Sequence, residues 1–216
     1  MIKQRVIQAI DETGMIAIIR GYSSDEILPI AQALYEGGVR VIEVTCNSSN
    51  YLESISRLSK ALGDKMWIGA GTVINPIMAQ LVIDAGATFV LAPDFNPEVV
   101  KIVHEKQRLM IPAVVTPSEM LQAYRMGIDL LKLFPANGLG VDYLKEIMGP
   151  LNELAIIPVG GISLHNAAEF AAAGAIAVGV GSELVRKDLI ASGEWDKLSE
   201  HTAYFMKTFK DGKNKA

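Results

Sequence analysis

Short runs of consecutive apolar residues alternate along the chain with longer stretches in which apolar positions recur every three or four residues. The runs are "IAIIR" (16–20), "VIEVT" (41–45), "WIGAGT" (67–72), "FVLAP" (89–93), "MIPAVV" (110–115), "LLKLFP" (130–135), "IIPVGG" (156–161) and "IAVGVGS" (176–182). Each is bounded by turn formers, which predicts a strand. The intervening "SDEILPIAQALYEGG", "NPIMAQLVIDAGA", "NPEVVKIVHEKQ" and "TPSEMLQAYRMG" carry helical spacing. Their punctuation agrees: Ser, Thr or Asn ahead of several, Pro in the first turn, Gly after the last.

The phrases "EGGVRVIEV", "DAGATFVLA", "RMGIDLLKL" and "AAGAIAVGV" share one layout of helix end, glycine and apolar strand. This reads as a repeat of about 20–26 residues per βα unit, or as ordinary helix-to-strand loop chemistry. Strands apolar on both faces predict a parallel sheet covered by helices. Eight of them with right-handed crossovers predict a single-domain α/β fold over residues 1–216, a (β/α)8 TIM barrel. An open doubly wound sheet is the alternative, although no strand leads into a dinucleotide fingerprint. Residues 1–13 are predicted as a helix that caps the barrel's bottom or packs outside it. The lysine-dense "KTFKDGKNK" predicts a frayed tail over 210–216.

Two strands break the apolar pattern with a charge. Side chains two apart share a face, so Lys132 lies with Leu130 and Phe134, and Glu43 with Val41 and Thr45. A charge in mid-strand makes little sense against covering helices, but it fits a barrel interior close to the end where such folds keep their chemistry. Buried charges need partners, and these two can supply each other. A purely structural pair is the competing explanation, although such pairs stabilise poorly beside an apolar replacement. An ordinary lysine is neutral in only roughly one molecule in 2,500 at pH 7. Apolar surroundings raise that fraction by about a few hundredfold, which is what an amine nucleophile needs.

Composition mainly excludes. With 50% hydrophobic residues, 216 positions suffice for a sizeable core. The formal charge of −4, with signs interspersed, offers no patch for nucleic acid. Cys46 is the lone cysteine, which excludes an internal disulfide and suits a reducing compartment; it has no obvious base and reads as a small buried residue. The amphipathic N-terminus lacks a signal peptide's apolar core, and no run reaches the roughly 18 apolar residues of a membrane helix. A soluble cytoplasmic protein is expected, with no membrane partner. His104, His165 and His201 each stand alone on a predicted helix without zinc-ligand spacing, so no metal is expected.

Barrels often hold phosphate on the loops after strands seven and eight. Here those loops read "VGGIS" (159–163) and "GVGSELV" (179–185), which makes Gly160, Gly161, Gly181 and Ser182 candidates. Thr72 in "GAGTV" offers a hydroxyl. Arg20 in "IIRG" offers a guanidinium for a carboxylate or phosphate, or is simply a solvated loop residue.

Taken together, "EGGVRVIEVT", "IGAGTV", "LKLFPA", "PVGGIS" and "VGVGSELV" resemble the 2-keto-3-deoxy-6-phosphogluconate (KDPG)/4-hydroxy-2-oxoglutarate (KHG) aldolase family over nearly the whole chain. The resemblance implies a class I lyase of carbohydrate metabolism, of the Entner–Doudoroff type. Lys132 would form the Schiff base with the 2-keto group, and Glu43, through a water, would shuttle protons. The products would be pyruvate and glyceraldehyde 3-phosphate, or pyruvate and glyoxylate. It further implies a homotrimer with no cofactor or metal and a small 2-keto acid as the partner. Thr72, Pro93 and Phe134 match the family's pocket, and Gly160, Gly161 and Ser182 its phosphate site. Departures exist: Asn47 stands where phosphogluconate-type members carry the carboxylate-gripping arginine. Arg20, the Asn47–Ser48 pair and Val159 look more like the 6-phosphogalactonate branch, although the proline common after that branch's glutamate is missing. Two more remote readings stay open: a phosphate-binding isomerase or epimerase with Glu43 as base, and a non-catalytic sugar-phosphate sensor.

Overall fold

A computed structural model of the protein describes residues 1–215. The strands are β1 (Met15–Ile19), β2 (Val41–Thr45), β3 (Trp67–Gly71), β4 (Phe89–Leu91), β5 (Leu109–Ile111), β6 (Ala113–Val114), β7 (Leu131–Leu133), β8 (Ile156–Pro158) and β9 (Val178–Val180). The helices are α1 (Ile2–Thr13), α2 (Ile27–Glu36), α3 (Tyr51–Leu62), α4 (Pro76–Asp84), α5 (Pro97–Glu105), α6 (Pro117–Arg125), α7 (Ala136–Met148), α8 (Ala167–Ala172), α9 (Lys187–Ala191) and α10 (Trp195–Lys213).

All strand pairings are parallel. Six strands form a curled sheet in the order β5-β4-β3-β2-β1-β9, and three more form a sheet in the order β6-β7-β8. The fifth expected strand is divided at Pro112, whose ring nitrogen cannot donate to a ladder. Its first half pairs with β4 and its second with β7. Between β8 and the last strand lie a hydrogen bond from Ile176 N to Ile156 O (3.1 Å) and an isolated bridge of Val159 with Gly179. The order β5-β4-β3-β2-β1-β9 places the first strand beside the last, unlike the doubly wound orders 3-2-1-4-5-6 and 2-1-3-4-5.

Strand alternation sorts the core into two layers. Met15, Ala17 and Ile19, with Ile42 and Val44, face outward into the layer under the helices. Ile16 and Ile18, Val41, Phe89, Leu91, Leu109, Ile111 and Leu130 face inward, and Val6 and Ile10 of α1 join them. The first helix therefore closes one end of the interior with its apolar stripe. Helix starts follow the punctuation. Asn75 accepts from Met78 N at 2.9 Å, and Thr116 with Glu119 forms a reciprocal capping box ahead of Pro117.

The repeated glycine phrase has a physical cause. Gly38, Gly86, Gly127 and Gly174 all hold positive φ, and the residue after each donates back five positions, as in Val39 N to Leu34 O and Ala87 N to Val82 O. That is the Schellman exit from a helix, which favours a residue without Cβ. Gln107 makes the same turn at φ 54 without that freedom. The frayed tail expected at 210–216 is corrected: α10 continues to Lys213, which pairs with Asp11 at 2.7 Å. Gly212 lies so close to α8 that a Cβ there would stand 2.3 Å from Ala168 O. Residue 216 lies outside the described residues.

Candidate active site

Lys132 sits in the middle of β7, hydrogen-bonded through its backbone to Pro112 O at 2.9 Å and in register with Ala113 and Ile157. Its neighbours Leu130 and Phe134 belong to the interior, so the amine points inward, as the alternation predicts. Glu43 in β2 likewise shares its face with inward Val41. Both are buried: Lys132 is 5% exposed and Glu43 1%.

Burial sets their chemistry. It pushes the Lys132 amine below its ordinary range, with the attraction of Glu43 opposing and Arg20 reinforcing the shift. The same burial pushes the Glu43 carboxyl up, against the pull of Lys132 and Arg20. In each case desolvation outweighs the partner, which favours a neutral amine. Among the described residues no ion pair within 4.0 Å joins the two. The direct contact anticipated from sequence is thus replaced by electrostatic coupling across a gap. Glu43 Oε2 is left with no hydrogen-bond partner, and Lys132 Nζ lies 4.8 Å from the centroid of the Phe134 ring.

Neighbouring strands make room for these side chains. A Cβ on Gly71 would stand 1.5 Å from Glu43 Oε1 and 2.2 Å from its Cδ, so the carboxylate lies directly against β3 backbone. Gly69 gives Phe89 the same access, at 2.4 Å. Gly71→Ala is therefore expected to drive the Glu43 carboxylate off its position and lower kcat by on the order of 100-fold, as misplacement near 1 Å does. Steady-state assay of folded protein checks this; turnover within about twofold of the parent would contradict it.

The interior opens into a cavity of ≈ 450 Å³ lined by Arg20, Lys132, Phe134, Val159, Gly160, Gly161, Gly181 and Ser182 among others. Eight of the residues singled out from sequence thus meet at one recess, with Glu43 buried behind its lining. Thr72, Pro93 and Asn47 are not among the lining residues; Pro93 and Asn47 are exposed. Thr72 holds φ 60, a costly conformation for a β-branched residue.

At one wall the backbone N–H groups of Gly161, Ser182 and Glu183 make no hydrogen bond within the described chain. Such free donors on glycine-rich loops suit an anion. Ser48 Oγ accepts from Gly21 N at 2.9 Å and lies 3.1 Å from Thr45 Oγ1, tying the loop after β2 to the one that carries Arg20. Sequence reasoning missed Tyr22, Glu183 and Lys187. All three line the cavity, and a cation six residues past "VGVG" was the one available signal. Burial pushes the Cys46 thiol up to about 12, which leaves it inert as a nucleophile. The histidines lie apart: His104 in α5, His201 in α10, and His165 in the turn before α8 rather than on a helix.

Comparison with known proteins bears directly on this arrangement. The sequence pattern of the KDPG and KHG aldolases matches residues 6–201. The chain is 36% identical over 196 residues to 2-dehydro-3-deoxy-phosphogluconate aldolase of Haemophilus influenzae, covering 90% of this chain and 92% of the relative. It is 30% identical over 198 residues to 2-dehydro-3-deoxy-6-phosphogalactonate aldolase of Escherichia coli, covering 91% and 95%. Among solved structures, KDPG aldolase from Legionella pneumophila, with pyruvate captured at low pH as a covalent carbinolamine intermediate, superposes with a TM-score of 0.84 at 30% identity, covering 90% of this chain and 95% of that one. A family match running from α1 into α10, with relatives aligned along nine-tenths of both chains, leaves one assignment: the protein belongs to the KDPG and KHG aldolase family.

Proposed function

We propose that the protein is a class I aldolase that cleaves 2-keto-3-deoxy-6-phosphogluconate, its galactonate epimer or both, and 4-hydroxy-2-oxoglutarate. The observation that carries this is a buried lysine held toward its neutral form at the floor of a cavity, with a buried carboxyl coupled to it. The neutral Lys132 amine attacks C2 of the keto acid, and loss of water from the carbinolamine gives an iminium. Glu43, through a water, takes the proton of the C4 hydroxyl. The C3–C4 bonding pair then flows into the iminium as the aldehyde leaves. Protonation of the enamine at C3 and hydrolysis release pyruvate and restore the amine. Arg20, inside the cavity, takes the substrate carboxylate in preference to Asn47, which is not in its lining. Gly160, Gly161, Gly181 and Ser182 receive the phosphate, and Phe134 and Val159 pack on the carbon chain. No metal or cofactor takes part.

A second reading makes the phosphogalactonate epimer the main substrate. It is favoured by Arg20 and Val159, the two branch-like residues that line the cavity, and by the match to the E. coli galactonate enzyme. Coupling pyruvate formation to lactate dehydrogenase with each epimer and with hydroxyoxoglutarate decides between them. No pyruvate from any of the three would end the proposal.

We also propose one domain built as a closed (β/α)8 barrel. Support comes from β1 lying beside the last strand and from the β8–β9 bridge; β5 and β6 count as one strand interrupted at Pro112. A cytoplasmic location is part of this reading and rests on the single cysteine, which suits a reducing compartment; no described helix is long and apolar enough to cross a membrane. The assembly we propose is a homotrimer. Ile74 (53% exposed), Ile77 (74%) and Leu81 (43%) form an apolar stripe on and just before α4, suited to a subunit contact. Ile77→Glu is expected to shift the light-scattering mass from trimer to monomer; an unaltered trimer would remove α4 from the interface.

A further inference from the structure

Two cations line the cavity besides Lys132, and they sit at different places along the chain. Arg20 follows β1 and lies near enough to Lys132 and Glu43 to act on both. Lys187 opens α9, just beyond the loop whose Ser182 and Glu183 N–H groups are free. Its neighbour Arg186 is committed elsewhere: Nε and one terminal nitrogen grip Asp188 at 2.9 and 2.7 Å. Among the described residues Lys187 has neither an ion-pair partner nor a side-chain hydrogen bond.

We propose that Lys187 is a specificity-determining residue, the cation that makes the cavity favour substrates ending in phosphate over those ending in a neutral or short group. The assignment rests on the aldolase reading above. The charge balance of the wall argues for it. Glu183 lines the same recess and repels an anion, Arg186 is neutralised by Asp188, and so Lys187 is the free positive side chain available at that loop. Uncharged N–H donors can orient a phosphate but do not offset a neighbouring carboxylate. An exposed lysine contributes a screened, reorientable charge, so it acts on substrate capture and not on the chemistry at Lys132.

Lys187→Met tests this, with Lys187→Arg as the conservative variant. For phosphorylated keto acids kcat/KM is expected to fall by about tenfold, mainly through KM, and to lose part of its salt dependence. The loss is at least about fivefold larger than for 4-hydroxy-2-oxoglutarate, and Lys187→Arg recovers most of it. Inorganic phosphate as a competitive inhibitor weakens in parallel. Equal losses on both substrate classes, or no loss on either, would overturn the assignment. Borohydride trapping of pyruvate on Lys132 keeps the two levels apart. A wild-type protein that traps no pyruvate refutes the aldolase reading, whereas normal trapping with unchanged phosphate inhibition in Lys187→Met refutes only the role of Lys187.

Discussion

Lys132→Ala is expected to lower kcat by on the order of 10,000-fold and to abolish covalent capture of pyruvate. In the parent protein, borohydride with pyruvate adds one pyruvyl-derived mass, located at residue 132; in the variant the intact mass stays unchanged. Lys132→Arg fails equally, because a guanidinium does not give up its proton in a protein. The pH profile carries the same claim. Only the neutral amine attacks a carbonyl, and burial depresses the Lys132 pKa from its ordinary 10.5. Thus kcat/KM rises with pH through a limb that lies below 10.5. Retention of turnover within about tenfold by Lys132→Ala would refute the covalent mechanism.

Glu43→Gln should cost between about 100-fold and 10,000-fold in kcat, the range for removing a positioned acid–base group. The amide has the same shape, so it keeps its packing across Gly71 and isolates proton transfer from sterics. Capture of pyruvate by Lys132 still occurs in this variant, but more slowly, since carbinolamine formation also needs a proton shuttle. Stability moves the other way. The folded-state pKa of Glu43 is raised above 4.5, so stability present below the unfolded value is lost as pH rises through the folded value. The variant is spared this loss. It should melt higher than the parent at pH 8, with the difference vanishing near pH 4. A parent that is the more stable protein at pH 8 would show that burial does not dominate at Glu43.

Much of the site could be read from local pattern because strand alternation is strict. One charge in each of two apolar strands fixed which face was interior, and Leu130, Phe134 and Val41 on those faces join the inner core as expected. The loops after the last two expected strands were legible for the same reason: they come at fixed points in a βα alternation. The tail was misread because lysines dominate its composition, while Phe205, Phe209 and Gly212 recur on one helical face and bury against α8 and α2. The division at Pro112 was also hidden, since one missing N–H matters only once the neighbouring strand is known.

The sequence by itself determined the strand and helix order, the helix exits, the inward parity of Lys132 and Glu43, and the family. These follow from spacing along one chain, where side-chain direction repeats every two or every 3.6 residues. Tertiary structure alone decided that Glu43 lies against Gly71, that the two charges stay beyond 4.0 Å of each other, that Arg20 lines the cavity while Asn47 does not, and that Lys187 lines that same cavity. Each of those facts joins residues from separate βα units. Their distances depend on how the sheets curl and pack, and no local periodicity records that.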